Sequence, residues 1–364
     1  MKIVWLAHEC NLSGANIAML EYVDALKEEF EFHIILPHKG NMEEALISSN
    51  ISYTVIHQYG WSGSVPLLNL LTWAKIFLRS TVALMQTIAF VRKINADVLF
   101  TNTLAPFVGS VSAKILRIPH IWWVHEFGEE DFGFTIGMGN KKMGFRWMQY
   151  SSNLIICNSE AVKTKFQLLM PLTNIIRLYQ PVTWKGLSSG ILQKKSARFL
   201  MFGQIIPSKG HLEVLEALVN AITMSDNNEA LSLHIKGPCE NSIYLDKIYQ
   251  FIKLHKLGDL VKVETGYFNK EAVLPLYEVL IVASVAEAFG RVIVEANKAG
   301  LKVIVRNSGG APELINETNG VLYNDVHDLA KILSGRIAMP VVANILNYDG
   351  KTEIKRLKKI LVNI

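Results

Sequence analysis

At 364 residues, half of them apolar, the chain can bury two sizeable cores, and nothing in it is low-complexity. The net charge of +5 suits an anionic substrate or an anionic membrane surface. It is too diffuse to argue for nucleic acid, and no nucleic-acid-binding motif accompanies it. The three cysteines, Cys10, Cys157 and Cys239, are far apart, with no CxxC and no His-rich neighbour. They point to a reducing compartment, argue against a zinc site and read as small buried apolar residues.

The N-terminus, Met1–His8, lacks the long apolar core and cleavage site of a signal peptide and reads as a first strand, Lys2–Ala7. Asn16–Glu28 has helical spacing through Ile17, Leu20, Val23 and Leu26. Strands follow at Phe32–Leu36 and Ser52–Ile56. Pro66–Val91 is the greasiest stretch, but Lys75 and Arg79 interrupt it. Its uncharged run, Ser80–Val91, is well short of the ~20 residues that cross a bilayer. Two readings stand. One is a pair of amphipathic helices buried against their neighbours. The other is an interfacial surface, with Trp73, Ile76, Phe77 and Leu78 meeting lipid and Lys75 and Arg79 meeting headgroups.

Asp97–Thr101 is a strand ending at Asn102, Phe107–Leu116 suits a helix, and His120–Val124 is a strand ending at His125 and Glu126. The segment Glu126–Met148 has acids first, then Lys141, Lys142 and Arg146 among Phe134, Met138, Met143, Phe145 and Trp147. It reads as a loop that receives a lipid-linked acceptor or as an ordinary amphipathic helix. Ser152–Cys157 is another strand, with Asn158 and a helix from Glu160 behind it. The turn-rich Tyr179–Gly190 reads as a linker.

The alternation then restarts. Arg198–Gly203 is a strand, and Leu212, Leu215, Leu218, Val219 and Ile222 line a helix. Leu231–Lys236 is a strand, Tyr244–Leu257 a helix, and Val261–Glu264 a strand ending at Gly266 and Tyr267. Strands alternating with helices imply parallel sheets covered on both faces. In the tail, Asp349–Ile364, the shared face of Ile354, Leu357, Ile360 and Leu361 favours a packed helix over a solvated one.

The most informative run is Glu287-Ala-Phe-Gly-Arg-Val-Ile-Val-Glu295, between the apolar runs Leu280–Ser284 and Lys302–Val305. It reads as strand, loop, helix, strand, with two carboxylates bracketing a glycine turn. A helix opening at the carboxyl end of a parallel strand points backbone N–H groups at a ligand and suits phosphate. The run continues into Ser308-Gly-Gly-Ala-Pro-Glu-Leu-Ile315, where Pro312 is positioned to start another helix.

Together these motifs resemble the retaining glycosyltransferases of the GT-B fold, family 4 (glycosyl transferases group 1). The resemblance extends to Gly203-Gln-Ile-Ile-Pro-Ser-Lys-Gly210, Ser13-Gly-Ala-Asn16, Val124-His-Glu126 and Cys157-Asn-Ser-Glu-Ala-Val162. It implies an α/β fold of two Rossmann-like domains whose parallel sheets face a central cleft. Residues 1–182 would bind acceptor and 183–345 the nucleotide sugar, with 346–364 a helix packing back on the first domain.

The resemblance also implies roles. Glu295 would bind ribose hydroxyls and Glu287 hydroxyls of the donor sugar. The N–H groups of Gly290, Arg291 and Val292 would meet the diphosphate, with Lys209 as a point charge. His125 would lie by the reacting carbon, Gly14 would let its loop approach the phosphates, and Tyr267 would lie by the nucleobase. Asn102 and Glu126 are weaker candidates. Gln204 departs from the family, which usually has arginine there. A neutral amide cannot neutralise a diphosphate, so another cation such as Arg291 substitutes, donor binding is weaker, or catalysis is lost.

The implied reaction moves a sugar from a nucleotide diphosphate sugar, UDP- or GDP-linked, to a saccharide or lipid-linked acceptor, with retention and without a metal or other cofactor. A role in cell-surface polysaccharide assembly would put the protein in the cytoplasm, peripheral on the inner face of the membrane. Two rivals are a non-catalytic sugar-nucleotide-binding partner of another transferase, for which Gln204 speaks, and a nucleotide-sugar epimerase. The epimerase would need acids and bases beyond His125 and Glu126.

Overall fold

The structure is a computed structural model that describes residues 1–58, 60–61, 70–134, 136–137, 140–186, 197–225, 231–340 and 350–364, and for 70–77 and 197 only the backbone. The side chains of Trp73, Lys75, Ile76 and Phe77, residue Met138, the end of the expected linker and the expected boundary at 345 lie outside the described residues. The chain divides into two units, Met1–Pro181 with Asp349–Ile364, and Val182–Tyr348.

In unit 1 the elements alternate as β1 (Lys2–Leu6), α1 (Gly14–Leu26), β2 (Glu31–Leu36), α2 (Met42–Ser48), β3 (Ser52–Val55), α3 (Leu70–Ile94), β4 (Val98–Asn102), α4 (Val108–Leu116) and β5 (His120–Val124). There follow α5 (Glu129–Phe132), α6 (Lys141–Ser151), β6 (Leu154–Cys157), α7 (Glu160–Leu169) and β7 (Ile175–Arg177). The sheet is parallel, in the order β3-β2-β1-β4-β5-β6-β7. Strands β4 and β5 are buried throughout, as a sheet covered on both faces requires. On one face Trp5 packs against Phe100 and Trp123, and Trp123 meets Tyr22 of α1 edge-on. On the other, Val4, Leu6 and Leu99 pack under Ala83 and Val91 of α3 and Val108 and Ala113 of α4.

Where the sequence suggests a pair of helices in 66–91, the described residues form one helix, α3, from Leu70 to Ile94. Its Ser80, Ala83, Thr87 and Val91 are buried, while Leu78, Val82 and Met85 are exposed. Arg79 is exposed on this helix.

Unit 2 runs β8 (Ala197–Phe202), α8 (His211–Met224), β9 (Leu233–Gly237), α9 (Ser242–Leu254), β10 (Val261–Thr265), α10 (Lys270–Val273), β11 (Tyr277–Val282), α11 (Arg291–Lys298), β12 (Lys302–Arg306), β13 (Gly320–Tyr323) and α12 (Val326–Leu333). Its parallel sheet has the order β10-β9-β8-β11-β12-β13. Pro312 opens only a 3-10 turn, Ala311–Leu314, rather than the α-helix the sequence suggested.

The last helix, α13 (Gly350–Val362), belongs to unit 1. Leu357 and Leu361 enter the core around Trp5 and Tyr22, with Ile354 and Ile360 partly buried against it. Glu353, 6% exposed, accepts from Arg177 Nη1 at 2.8 Å and from the Tyr179 N–H at 3.2 Å. Truncating a fully buried leucine costs about 2–5 kcal/mol, so Leu357→Ala should destabilise unit 1 by that amount. Denaturation followed by tryptophan fluorescence checks it, since Trp184 is the one tryptophan outside unit 1.

Candidate nucleotide-sugar site

In both sheets the strand order reverses once, between β1 and β4 and between β8 and β11. Helices leaving the two central strands diverge there, and the crevice beyond the strand ends is where open α/β sheets bind ligands. The sequence-selected residues gather at these two places.

In unit 2 the turn after β8 and the loop after β11 are locked together. The Val285 N–H donates to Ser208 O at 2.9 Å. Gly210 has φ 72°, and a Cβ on it would stand 2.2 Å from Ala283 O, so the Pro-Ser-Lys-Gly turn needs glycine at that point. The turn delivers Lys209, whose Nζ donates to Glu287 Oε2 at 2.7 Å. The Ser284 hydroxyl donates to the same oxygen at 2.8 Å. Burial on its own would raise the Glu287 pKa, but the Lys209 charge, with the Lys209 and Ser284 hydrogen bonds, outweighs it and holds the carboxyl below its ordinary value. Glu287 is thus an anion in this site.

The Gly-Gly turn after β12 fixes the other side of the loop. The Gly310 N–H donates to Glu287 O at 2.7 Å. At Gly309, φ 68°, a Cβ would come within 2.5 Å of the same oxygen.

Gly290, with φ 92°, is the N-cap of α11 and offers no side-chain acceptor to the first-turn N–H groups. Arg291 and Val292 follow it, half-buried. Glu295, one turn on, is 4% exposed. It pairs with Lys270 of α10, and Arg291 Nη2 lies 3.8 Å from its Oε1. Lys270 was not singled out in the sequence. Only the signal Gly266-Tyr-Phe-Asn-Lys270 beyond a strand end pointed there, and it led to Tyr267. Tyr267 is 89% exposed, and Gln204, after β8, is half-buried.

In unit 1 a directional chain of amides ends on His125. The Asn16 side-chain amide donates to Glu9 O at 3.1 Å and Asn11 O at 2.8 Å, which turns its own Oδ1 toward Asn102. Asn102 Nδ2 donates to that Oδ1 at 3.2 Å, and Asn102 Oδ1 faces His125 Nε2 at 2.9 Å. Because Asn102 Oδ1 can only accept, His125 Nε2 carries the proton. Nδ1 then accepts from Gln180 Nε2 at 2.6 Å. The backbone carbonyls that orient Asn16 thereby set the proton on Nε2. Gly14 opens α1, two residues before Asn16 in the same first turn, and is exposed.

Glu126 lies 4% exposed beside this chain. Its Oε1 accepts from the Leu104 N–H at 2.6 Å and its Oε2 from the His125 N–H at 2.9 Å, tying the end of β4 to the end of β5. Burial raises its pKa from 4.5 to about 7, against the pull of those two hydrogen bonds. The loop Glu126–Met148 divides into α5, which carries the acids, and α6, which carries Lys141, Lys142 and Arg146. Lys141 pairs with Glu129 at 2.5 Å, and Lys165 of α7 pairs with Glu130.

Residues 188–336, nearly all of unit 2, match the family described as Glycosyl transferases group 1. Along 95% of the chain and 90% of the relative's length, the sequence is 24% identical to an uncharacterized glycosyltransferase of Methanocaldococcus jannaschii. Among solved structures, Anabaena HepE in complex with UDP and glucose superposes with a TM-score of 0.74 over 100% of both chains at 19% identity. A glycosyltransferase of Rickettsia africae superposes with a TM-score of 0.71 over 98% of this chain and 93% of that one, at 17% identity. The fold is therefore GT-B, and the match to Glycosyl transferases group 1 falls within its second unit.

Two predictions follow from the unit 1 geometry. Glu126 ionises in the unfolded chain above about 4.5 but in the fold only above about 7, so its burial lowers stability as pH rises between those values. Glu126→Gln should gain on the wild type by about 3 kcal/mol across that window, in denaturation curves taken at a series of pH values. A difference that stays constant with pH would exclude the titration. Separately, Gln180→Glu replaces a donor to Nδ1 by an acceptor, so both ring nitrogens of His125 would face acceptors. The 15N shifts of the ring should change from Nε2–H imidazole to imidazolium.

Proposed function

We propose that the protein is a metal-independent, retaining glycosyltransferase that moves a sugar from a nucleotide diphosphate sugar to a hydroxyl of a saccharide or lipid-linked acceptor. The observation that carries this reading is the loop pair at the β8/β11 reversal. There a lysine, one buried and one half-buried carboxylate and a helix start without a side-chain cap converge within the region matched by Glycosyl transferases group 1. The UDP and glucose bound by the structural neighbour HepE favour a UDP-sugar as donor over a GDP-sugar.

In this reading the α11 N–H groups at Gly290, Arg291 and Val292 receive the diphosphate, and Lys209 turns from Glu287 to the charge that develops on it. Glu287 then takes sugar hydroxyls. Glu295 takes those of the ribose; a carboxylate has about four acceptor sites, so it can serve its cations and the ribose together. Tyr267 flanks the base. Where the family has arginine, Gln204 contributes a neutral donor, and Lys270 with Arg291 supplies positive charge nearby.

The bond from the anomeric carbon to the diphosphate oxygen breaks as the bond to the acceptor oxygen forms on the same face, and the acceptor proton passes to the leaving phosphate. No protein base is needed. That agrees with a His125 whose ring nitrogens are both engaged by amides, leaving it to position the sugar with Gly14. The products would serve cell-surface polysaccharide assembly from the cytoplasmic side of a membrane.

Incubated with a UDP-sugar and no acceptor, the wild type should slowly release free sugar and UDP, and Glu295→Ala should abolish the release. Lys209→Ala should weaken UDP binding roughly 10- to 100-fold, the loss of a hydrogen bond between charged groups. A wild type that binds UDP and releases nothing would favour the non-catalytic binding protein, for which Gln204 is the supporting residue.

A further inference from the structure

One whole face of unit 1 is built without acidic residues. Helices α3 and α4 pack against each other, and α4 packs against α6. With the cap residue Arg117 of α4, these helices hold every lysine and arginine between residues 45 and 159: Lys75, Arg79, Arg92, Lys93, Lys114, Arg117, Lys141, Lys142 and Arg146. They hold no aspartate or glutamate.

The five acids of that segment lie elsewhere. Asp97 precedes β4, where it accepts from the Lys2 N–H. Glu126 is buried, Glu129 and Glu130 are paired with Lys141 and Lys165, and Asp131 accepts the N–H groups of Phe127 and Gly128. Glu160, on the bordering helix α7, is engaged by Lys163 and Arg177.

Apolar side chains stand out of the same face. On α3, Leu78, Val82 and Met85 are 65%, 46% and 64% exposed at helical spacing, where a water-facing helix normally carries charge. Ile115 of α4, and Met143 and Tyr150 of α6, are at least half exposed. Lys114 lies 4.3 Å over the Tyr150 ring, joining the α4 and α6 parts of the patch.

We propose that the α3–α4–α6 face docks on an anionic lipid bilayer, with Leu78, Val82, Met85, Ile115 and Tyr150 entering the headgroup region and the lysines and arginines neutralising lipid charge. Charge complementarity selects this occupant. Single-sign charge interleaved with protruding apolar side chains suits a negatively charged, oily surface. The proposal is independent of the donor chemistry: vesicle binding by a catalytically inert wild type would sink the transferase reading and leave this one standing.

The test is sedimentation with phosphatidylglycerol vesicles and with phosphatidylcholine vesicles. The wild type should bind the first and not the second, and high salt should weaken the binding. Removing four charges, as Lys114→Gln with Arg117→Gln, Lys142→Gln and Arg146→Gln, should weaken binding at least about tenfold. Leu78→Gln with Met85→Gln should weaken it while leaving the salt dependence. These positions are exposed, and circular dichroism checks that the variants fold.

A control removing four charges from α9 and α13, Lys247→Gln with Lys253→Gln, Lys355→Gln and Lys359→Gln, should bind like the wild type. Absence of wild-type binding, or an equal loss in the control, overturns the proposal. So does a wild-type dimer that the α3–α4–α6 variants convert to monomer, which would give the face to a second copy of the chain.

Discussion

A parallel sheet that grows outward in both directions from a central pair of strands must send its helices to opposite faces, and a crevice opens where the direction changes. In this protein that constraint acts twice, beyond β1 and β4 and beyond β8 and β11. The chemistry-bearing side chains of each unit stand on the loops that border those crevices. The apolar strands beneath supply rigidity, which is why short loops can hold charged side chains at hydrogen-bonding distance without a ligand to organise them. Sheet order comes first, and the site is a consequence of it.

The charges at the second crevice are balanced more closely than a list of residues suggests. Glu287 and Glu295 are both largely buried, and an unpaired buried carboxylate would take up a proton rather than remain charged. Lys209 answers the first, and Lys270 with Arg291 answers the second. Glu287 therefore stays available as an anion, and Glu295 has two cations beside it. In the proposed reading, a diphosphate would outbid the carboxylate that holds each cation, because it brings more negative charge than one carboxylate and would meet the N–H groups of α11 as well. This arrangement bears on Gln204. A missing arginine at the end of β8 is less costly where other cations are already gathered on the neighbouring loops.

Much of the fold could be read from the sequence, because its strands are apolar runs ended by glycine, asparagine or histidine, and its helices carry a clear apolar stripe. The alternation in both halves gave the two Rossmann-like units directly. What escaped was short or irregular. Strand β7 has only three residues, and α5 and α10 have four each, too few for a period to show. Pro312 is compatible with an α-helix and with the 3-10 turn that forms, and only packing decides between them. The greasy stretch before β4 was ambiguous for a different reason. A single helix with a buried inner face and an outer face that mixes apolar and basic side chains has no clear hydrophilic side to betray its orientation.

Spacing brought Glu287, Gly290 and Glu295 into view, whereas their partners come from distant parts of the chain. Lys270 is 25 residues from Glu295, and Gln180 is 55 from His125. The histidine shows what such partners change. Seen alone at a strand end, it invites an acid or base role. Its amide chain sets a cost against that role, because a ring donating from Nε2 and accepting at Nδ1 takes or gives a proton only by breaking a hydrogen bond in a buried place. The chain also reaches α13, since Glu353 accepts the Tyr179 N–H and so holds the backbone next to Gln180. The C-terminal helix, remote in sequence, thus holds the backbone beside the residue that meets the imidazole. His125 is thus a fixed dipole and a packing surface, resting at 4.2 Å on the Trp123 ring.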